Sequence, residues 1–331
     1  MVAERGYQDT SRFLQRALIR PFVLNIETIS ICNAKCCFCP YEKAERKRGY
    51  MDFKLYEKII DEYNQMGGGS LLLTPILGEF LLDKMALKRI AYAKTKINIV
   101  TISFTSNAIA ISNFSDSDLS YLLDNVNFMN FSIGGSNREF YEKMFGVDKF
   151  AKVFANIKRL VEQSRHVSNA STIRLTFRSG EDEEQVEQSE IVQWARNEGL
   201  EVVIDNSFAN WGGAIDANDI SGAAFMRPEI PKSRKKNPCF MTYLGTYISY
   251  DGRVTACGCM DSEVVLEVGD CRTSSLESIW NGTRLKQFRS SFSKGSLAPI
   301  CEKCTLYQDG ISFSNLPEVQ HYVDGRFPFG Y

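Results

Sequence analysis

The stretch CNAKCCFC, residues 32–39, decides the interpretation of this chain, because it places three spaced cysteines directly after the first predicted strand, Phe22–Ser30. Thiols at Cys32, Cys36 and Cys39 can wrap a loop around a [4Fe–4S] cluster and leave one iron without a protein ligand. Since four cysteines per cluster are usual, a three-cysteine loop offers an open coordination position. A zinc or structural thiol site is the alternative, but zinc would want a fourth ligand close by and no histidine is available there.

At this point the sequence resembles the radical S-adenosylmethionine (SAM) superfamily, whose signature CxxxCxΦC follows the first strand of a partial (β/α)6 barrel. The resemblance implies that the amino and carboxylate groups of SAM bind the open iron. It also implies that Phe38, at the position Φ, packs near the SAM adenine. In this family an electron from the cluster cleaves SAM, and the released 5′-deoxyadenosyl radical abstracts hydrogen from a substrate.

Two later segments extend the resemblance. Residues 77–80, LGEF, end the second predicted strand and resemble the family's GGEP segment, which binds the SAM amino group. The match is partial, but a carboxylate facing an ammonium is favourable, so we expect Gly78 and Glu79 to bind SAM. Ser132, at the end of the fourth predicted strand, resembles a position where many relatives contact SAM, with an ordinary turn serine as the alternative. We expect the TSN segment at 105–107 to line the cavity, unless it forms only a loop turn.

Strand-like and helix-like patterns alternate over residues 21–206. Helical periodicity follows Asp52, a predicted N-cap, recurs over 150–161, and extends from about Glu183 to a stop at Gly199. This alternation predicts an α/β fold with a parallel sheet, an open partial barrel whose functional residues gather at the carboxyl ends of the strands. The predicted strands are Phe22–Ser30, Ser70–Leu77, Asn98–Thr105, Asn127–Ile133, Thr172–Phe177 and Glu201–Asp205.

A second group of cysteines lies near the C-terminus. The opening motif CX9–15GX4C of SPASM and twitch domains matches Cys239, Gly252 and Cys257, which are separated by twelve and four residues. Cys301 and Cys304 supply the closing CxxC. Because no cysteine follows this pair, the resemblance is to the shorter twitch form, in which four cysteines hold one auxiliary [4Fe–4S] cluster. The spacings resemble those of a radical SAM dehydrogenase of butirosin biosynthesis that oxidises an amino-sugar-like cyclitol. A zinc ribbon on the same thiols is the alternative.

The cysteine-rich C-terminal part is predicted to be a small α+β domain. Strands at 243–250 and 253–257 flank an Asp-Gly pair, which is a strong hairpin signal. A helix is predicted to start near Ser274, with Glu277 at capping-box spacing, and to continue through Phe288.

The region between the two domains is predicted to be a connector, and its basic run 233–236 a solvated loop. The predicted organisation is an N-terminal extension at 1–20, the partial barrel at 21–206, the connector at 207–238, the auxiliary-cluster domain at 239–310 and a C-terminal tail at 311–331.

Three cysteines remain outside both motifs. Cys37 is predicted to be a packed thiol and Cys271 a structural one. Cys259 lies two residues after Cys257 and has two interpretations. It is either a buried apolar side chain, which is common for free cysteine, or a catalytic hydrogen-atom donor, as in radical SAM epimerases.

The amino-acid composition restricts the classes of partner that the protein is expected to bind. The 331 residues contain 39 Lys and Arg against 40 Asp and Glu, a net charge of −1 that argues against nucleic acid or an anionic membrane as partner. Without a long apolar run or a signal peptide, we expect a cytoplasmic protein. Ten cysteines beside only two histidines, in a reducing compartment, favour metal ligands over disulfides.

Three reactions are compatible with these motifs. A dehydrogenase would pass an electron from the substrate radical to the auxiliary cluster and form a ketone. An epimerase would return hydrogen from Cys259 to the opposite face. A peptide maturase would cross-link a ribosomal peptide, but it often carries a leader-binding domain, which the short extension before the core would not supply. We expect oxidation of a sugar or aminocyclitol hydroxyl.

The partners expected for this reaction are a polar small-molecule substrate and an electron donor such as flavodoxin or ferredoxin. Arg178, Asp205 and Lys143 are candidate bases by position alone, with substrate binding or surface salt bridges as the alternative. A non-catalytic electron carrier is a hypothesis of a different class, and such a protein would need neither Glu79 nor an open-site cluster.

Overall fold

The computed structural model describes residues 15–168, 170–220, 227–228, 235 and 237–307. These residues include one sheet of nine strands. Its strands are β1 Val23–Ile26, β2 Gly69–Leu72, β3 Ile99–Ser106, β4 Phe128–Ile133, β5 Thr172–Phe177, β6 Glu201–Ile204, β9 Gly245–Ile248, β10 Arg253–Thr255 and β11 Glu267–Asp270. They lie side by side in the order β11-β10-β9-β1-β2-β3-β4-β5-β6. A separate parallel pair, β7 Ser207–Phe208 with β8 Arg227–Pro228, lies in the connector.

Strands β1 to β6 are all parallel, and helices join them in sequence. This confirms the predicted α/β class, and the six predicted strands are present, most of them with ends shifted by a few residues. The helices between them are α1 Phe53–Gln65, α2 Ala86–Lys94, α3 Asp116–Asn125, α4 Arg138–Phe145, α5 Phe150–Ser164, α6 Glu183–Glu187 and α7 Glu190–Asn197.

Helix α1 shows how the sequence pattern produces this packing. The Asp52 side chain accepts hydrogen bonds from the first backbone N–H groups of the helix, as its predicted N-cap role requires. Tyr56, Ile59, Ile60 and Tyr63 are fully buried, because their spacing places them on the face that contacts the sheet. Among the described residues, no helix is long and apolar enough to cross a membrane.

The C-terminal strands extend the barrel sheet instead of forming a separate one. Strand β9 pairs in parallel with β1, with Val23 opposite Gly245, and β10 returns antiparallel to β9 across the predicted Asp-Gly turn. Gly252 adopts a left-handed φ of +92° in that turn, which confirms the hairpin. The remaining helices of this region are α8 Met241–Leu244, α9 Leu276–Trp280, α10 Thr283–Ser291 and α11 Pro299–Lys303.

Two helix predictions were wrong in detail. The helix expected from Glu183 to Gly199 is two helices, because the Ser189 hydroxyl donates to the carbonyl of Val186 at 2.6 Å and competes with helical hydrogen bonding. The helix expected from Ser274 begins one residue later, since the side chain of Ser275 is the N-cap.

The predicted helix that continues through Phe288 is also divided. Asn281 ends α9 and Gly282 is the N-cap of α10, so the chain turns between two short helices.

Hydrogen bonds fix part of the connector between the cysteine loop and α11. Trp211 donates from Nε1 to the carbonyl of Phe38 at 2.8 Å, and the side-chain amide of Asn210 donates to the carbonyl of Lys303 at 2.8 Å. The prediction of a solvated basic loop at 233–236 was wrong for Lys235, which is 9% exposed. The other three residues of that run, and the predicted tail at 311–331, lie outside the described residues.

A buried ion pair joins the loop after the first cysteines to Glu27, the residue that follows strand β1. The guanidinium of Arg46 donates to both oxygens of Glu27, at 2.6 and 2.5 Å, and both side chains are almost fully buried. The hydroxyl of Tyr247, on β9, also donates to Glu27. Breaking such a pair leaves an uncompensated buried charge.

We expect Arg46→Met to lower the free energy of unfolding by about 3–5 kcal/mol, because it leaves the Glu27 carboxylate buried without its cation. The matched control is Arg138→Met, since Arg138 also binds a carboxylate, that of Asp148, but both side chains are exposed. The control should cost much less, because solvent screens an exposed ion pair. Anaerobic urea denaturation measures both variants, and equal losses would contradict this account of the Glu27 pair.

Candidate active site

One cavity lies at the carboxyl ends of the parallel strands and extends to the C-terminal region. It contains about 1290 Å³ of space, its open mouth included. The predicted primary cluster ligands and SAM-binding residues all line it: Cys32, Cys36, Cys39, Phe38, Gly78, Glu79 and Ser132.

The cysteine loop is held in place by hydrogen bonds of its backbone to α4. The N–H groups of Lys35 and Cys37 donate to the carbonyls of Phe145 and Met144, at 2.8 and 3.0 Å. The thiol of Cys37 faces the sulfur of Met144 at 3.8 Å, and Cys37 does not line the cavity. The loop thus directs the thiols of the predicted cluster ligands into the cavity and packs Cys37 against α4.

Burial makes these three thiols poor anions unless a cation joins them. It raises the pKa of Cys32 to about 12, with the Glu79 carboxylate adding to the effect, and that of Cys39 to about 11. It also raises the pKa of Cys36, as do the charges of Cys39, Cys32 and Cys37. Iron–sulfur clusters bind thiolates, so their iron would supply the missing positive charge.

A second observation supports the fit of a cluster at this position. The hydroxyl of Tyr141 is buried and has no hydrogen-bond partner among the described residues, whereas buried hydroxyl groups are normally bonded. Burial raises its pKa, and the charges of Cys36, Glu79 and Cys32 raise it further, so it lies near the cysteine loop. A cluster on these three thiols would bring sulfide acceptors into this neighbourhood.

Glu79 is fixed by uncharged donors and remains available to a cation. Its carboxylate accepts the backbone N–H of Leu81 at 3.0 Å and that of Asn107 at 2.8 Å. Burial raises the pKa of Glu79, and these two hydrogen bonds oppose that shift. A bound ammonium would meet a buried, pre-oriented carboxylate.

Gly78 allows the second strand's loop to approach the first closely. Its φ is +147°, and a Cβ at this position would lie 2.3 Å from the carbonyl oxygen of Ile29. The next residue, Glu79, donates its backbone N–H to Ile31 at 2.9 Å. A side chain at Gly78 would therefore push the Glu79 carboxylate away from the cysteine loop.

The ring of Phe38 and the guanidinium of Arg178 both line the cavity and contact each other. The ring of Phe38 lies edge-on to Phe145, and Arg178 lies over it, 5.2 Å from its centre. Arg178 is 7% exposed, and its Nε has no hydrogen-bond partner among the described residues, although one terminal nitrogen contacts Asp205 at 3.4 Å. Lys143 is exposed and, like Asp205, does not line the cavity.

The four predicted auxiliary ligands come together although they are spread along the chain from Cys239 to Cys304. Burial raises the pKa of Cys304 to about 12, and the charges of Cys257 and Cys239 add to this. Cys301 shows the same pattern, with contributions from all three others. All ten cysteines are among the described residues, and none forms a disulfide. Four thiols that lie close enough to influence one another's pKa and form no disulfide are the type of donor that iron–sulfur clusters bind.

Cys259 belongs both to this thiol group and to the cavity wall. Its sulfur is 3.9 Å from that of Cys257, and its thiol lowers the pKa of Cys257 through that contact. The same contact, followed by burial, raises the pKa of Cys259. Cys259 also lines the cavity, whereas Cys271 is fully buried in the core.

Sequence reasoning missed three residues that line the cavity or lie beside it. Asn25 lies in the middle of the buried strand β1, and its side-chain oxygen has no partner among the described residues. A polar residue within an apolar strand is the signal that could have identified it. Tyr141 and Trp211 gave no such signal, because aromatic residues at those positions are equally typical of a core.

The comparisons with known proteins agree with this geometry. A family model described as the radical SAM superfamily matches residues 26–204, and one for the SPASM iron–sulfur cluster-binding domain matches residues 239–305. No curated protein matches the chain in sequence.

Several solved structures share the fold at low identity. BtrN in complex with AdoMet and 2-DOIA is 16% identical, with a TM-score of 0.57 over 86% of this chain and 92% of BtrN. Native anSMEcpe with bound AdoMet is 14% identical, with a TM-score of 0.57 over 92% and 100% of the two chains. SuiB of Streptococcus suis, bound to precursor peptide SuiA, is 13% identical, with a TM-score of 0.62 over 97% and 78%.

These likenesses support the predicted partial barrel and cluster domain but do not select a substrate. The first family model covers more than half of the chain, from the last residue of β1 to the end of β6, and the second spans the four C-terminal ligand positions. The chain belongs to the radical SAM superfamily and carries a C-terminal SPASM domain.

Proposed function

We propose that this enzyme oxidises a hydroxyl group of a sugar or aminocyclitol to a ketone, with one auxiliary [4Fe–4S] cluster as the electron acceptor. The observation that carries the proposal is the composition of the cavity wall. Met241, Gly258, Cys259 and Leu306 line it, and each lies one or two residues from a predicted auxiliary ligand. A substrate in the cavity would therefore be adjacent to the auxiliary site.

When bound, the primary cluster with SAM supplies a radical that removes a hydrogen atom, and the auxiliary cluster supplies an acceptor for one electron. Oxidation of a secondary alcohol also releases one proton, so two hydrogens leave the substrate in total. Reduction of the primary cluster requires a donor such as flavodoxin or ferredoxin.

The chain's own residues bind and orient the ligands. Glu79 would hold the SAM ammonium, Gly78 permits its approach, Phe38 would pack near the adenine, and Ser132 offers a hydroxyl at the end of β4. Arg178 is the one candidate base that lines the cavity, but a guanidinium stays protonated. It would instead donate to a ligand oxygen, with Asp205 holding it in place.

Epimerisation is the second candidate, because Cys259 lines the cavity. A thiol there could return hydrogen to the opposite face of a substrate radical. The bound ligand of BtrN and the bound peptide of SuiB belong to those proteins, and at 13–16% identity they support a shared fold without selecting between a small molecule and a peptide.

Two [4Fe–4S] clusters predict about eight irons per chain after anaerobic reconstitution, since each cluster holds four. Replacing Cys32, Cys36 and Cys39 together with alanine should leave about four irons and abolish SAM cleavage. Replacing Cys37 and Cys271 with alanine is the control and should leave the iron content unchanged. Iron and sulfide analysis with Mössbauer spectroscopy measures this, and zinc on the C-terminal thiols would contradict the auxiliary cluster.

Glu79→Gln should weaken SAM binding by about 1.5–3 kcal/mol, roughly ten- to hundredfold, because it removes the charge that faces the ammonium. Glu263→Gln is the matched control, since Glu263 also accepts two backbone N–H groups, those of Glu45 and Arg46, but does not line the cavity. Equilibrium binding of SAM to reconstituted protein measures both variants. Unchanged affinity in Glu79→Gln, with both clusters assembled, would remove Glu79 from the SAM site.

Solvent deuterium separates oxidation from epimerisation. A thiol exchanges its hydrogen with D₂O, so an epimerase that uses Cys259 would place one deuterium on the reacting carbon. We expect none, with one oxidised product per 5′-deoxyadenosine, and Cys259→Ser should retain this chemistry. Mass spectrometry of the product measures the label. A product one mass unit heavier, with inverted stereochemistry, would instead establish Cys259 as the hydrogen donor.

A further inference from the structure

Lys235 contacts the segment that carries the last two auxiliary ligands. Its ammonium donates to the carbonyl oxygens of Cys301 at 2.7 Å, Glu302 at 3.0 Å and Cys304 at 2.5 Å. The three acceptors lie at the end of α11, where helix carbonyls lack partners within the helix. Three donated hydrogen bonds require three N–H groups, which an ammonium has and a neutral amine does not.

This lysine is a buried cation next to a group of thiols. It is 9% exposed, and its ammonium lies 5.8 Å from the centre of the Tyr307 ring. Cys304, Cys301 and Cys239 lie close enough to interact electrostatically with its ammonium. Its charge is therefore shielded from solvent on one side and close to the auxiliary ligands on the other.

We propose that Lys235 raises the reduction potential of the auxiliary cluster and, through its three carbonyl contacts, fixes the Cys301–Cys304 segment around it. The inference rests on the proposed auxiliary cluster and goes beyond it. Reduction adds one negative charge to the cluster, and a nearby fixed positive charge favours the reduced state. Net charge and surroundings are known determinants of cluster potential. The effect suits an acceptor that must take an electron from a substrate radical.

The exposed lysine on the same segment provides a contrast. Lys303 lies next to Cys304 in the sequence, but its side chain is exposed, and solvent and salt screen its charge. If position in the sequence alone mattered, both lysines would act alike. A difference between them isolates the buried charge of Lys235.

The test measures the auxiliary midpoint potential by redox titration followed by electron paramagnetic resonance. It uses the reconstituted full chain, and the Cys32, Cys36 and Cys39 triple alanine variant, in which only the auxiliary cluster contributes. Lys235→Met should shift the ratio of oxidised to reduced cluster at a fixed potential at least tenfold toward the oxidised form, a change of about 59 mV for one electron. Lys235→Arg and Lys303→Met should each change it less than threefold.

The other possible outcomes distinguish failure of this inference from failure of the proposed function. An unchanged potential in Lys235→Met, with iron and sulfide content retained, would overturn the inference while leaving the proposed function intact. An equal shift in Lys235→Arg would assign the effect to side-chain fit and overturn it as well. If Lys235→Met cannot hold the cluster, Lys235→Gln repeats the measurement. Loss of the cluster in both would make Lys235 a structural residue only, whereas absence of the cluster from the unaltered protein would refute the proposed function itself.

Discussion

Acidic groups buried in and beside one cavity impose the main constraint on this molecule. The thiols of the cysteine loop and the Glu79 carboxylate line it, the C-terminal thiols lie beside it, and burial raises the pKa of nearly all of them. Charged groups in a dry site are stable only when opposite charge joins them. Iron on the thiols and an ammonium on Glu79, as we propose, would satisfy this condition together, and the fold would then act as a scaffold that positions ligands for cations. The Arg46–Glu27 pair and Lys235 are the cases in which the chain supplies the cation itself.

The two cluster regions are connected through a short, well-packed part of the connector. Trp211 bonds to the backbone of the primary loop at Phe38, and the neighbouring glycines contact α11, where a Cβ on Gly212 would lie 2.1 Å from Ile300. Asn210 binds both Lys303 and Thr305. Because these contacts share adjacent residues, a displacement of the Cys301–Cys304 segment would be transmitted to the Phe38 side of the cavity.

Alternation of strand-like and helix-like patterns and the Asp-Gly turn signal allowed the α/β class, the parallel strands and the hairpin to be predicted from sequence. The grouping of the cysteines and the roles expected of Glu79 and Ser132 came from the resemblance to family motifs, and both of these residues line the cavity. Contacts between residues that lie far apart in the sequence leave no pattern in the local sequence, so they could not be predicted. The pairing of β9 with β1 and the burial of Lys235 depend on segments that lie far away along the chain. The break in the helix at Ser189 was not predicted, because a single side-chain hydrogen bond interrupts a sequence whose helical pattern is continuous.

Because β1 pairs in parallel with β9, β1 cannot complete its pairing until the C-terminal region of the chain has been synthesised. Strand β1 leaves the ribosome early, yet one of its two neighbours begins only at Gly245. Until then Val23–Ile26 forms an open edge with unpaired backbone groups, and such edges are prone to intermolecular pairing. Contacts of this sequence separation also slow folding. The nascent barrel therefore depends on protection of that edge while the C-terminal region is made, and truncation before β9 would expose it permanently.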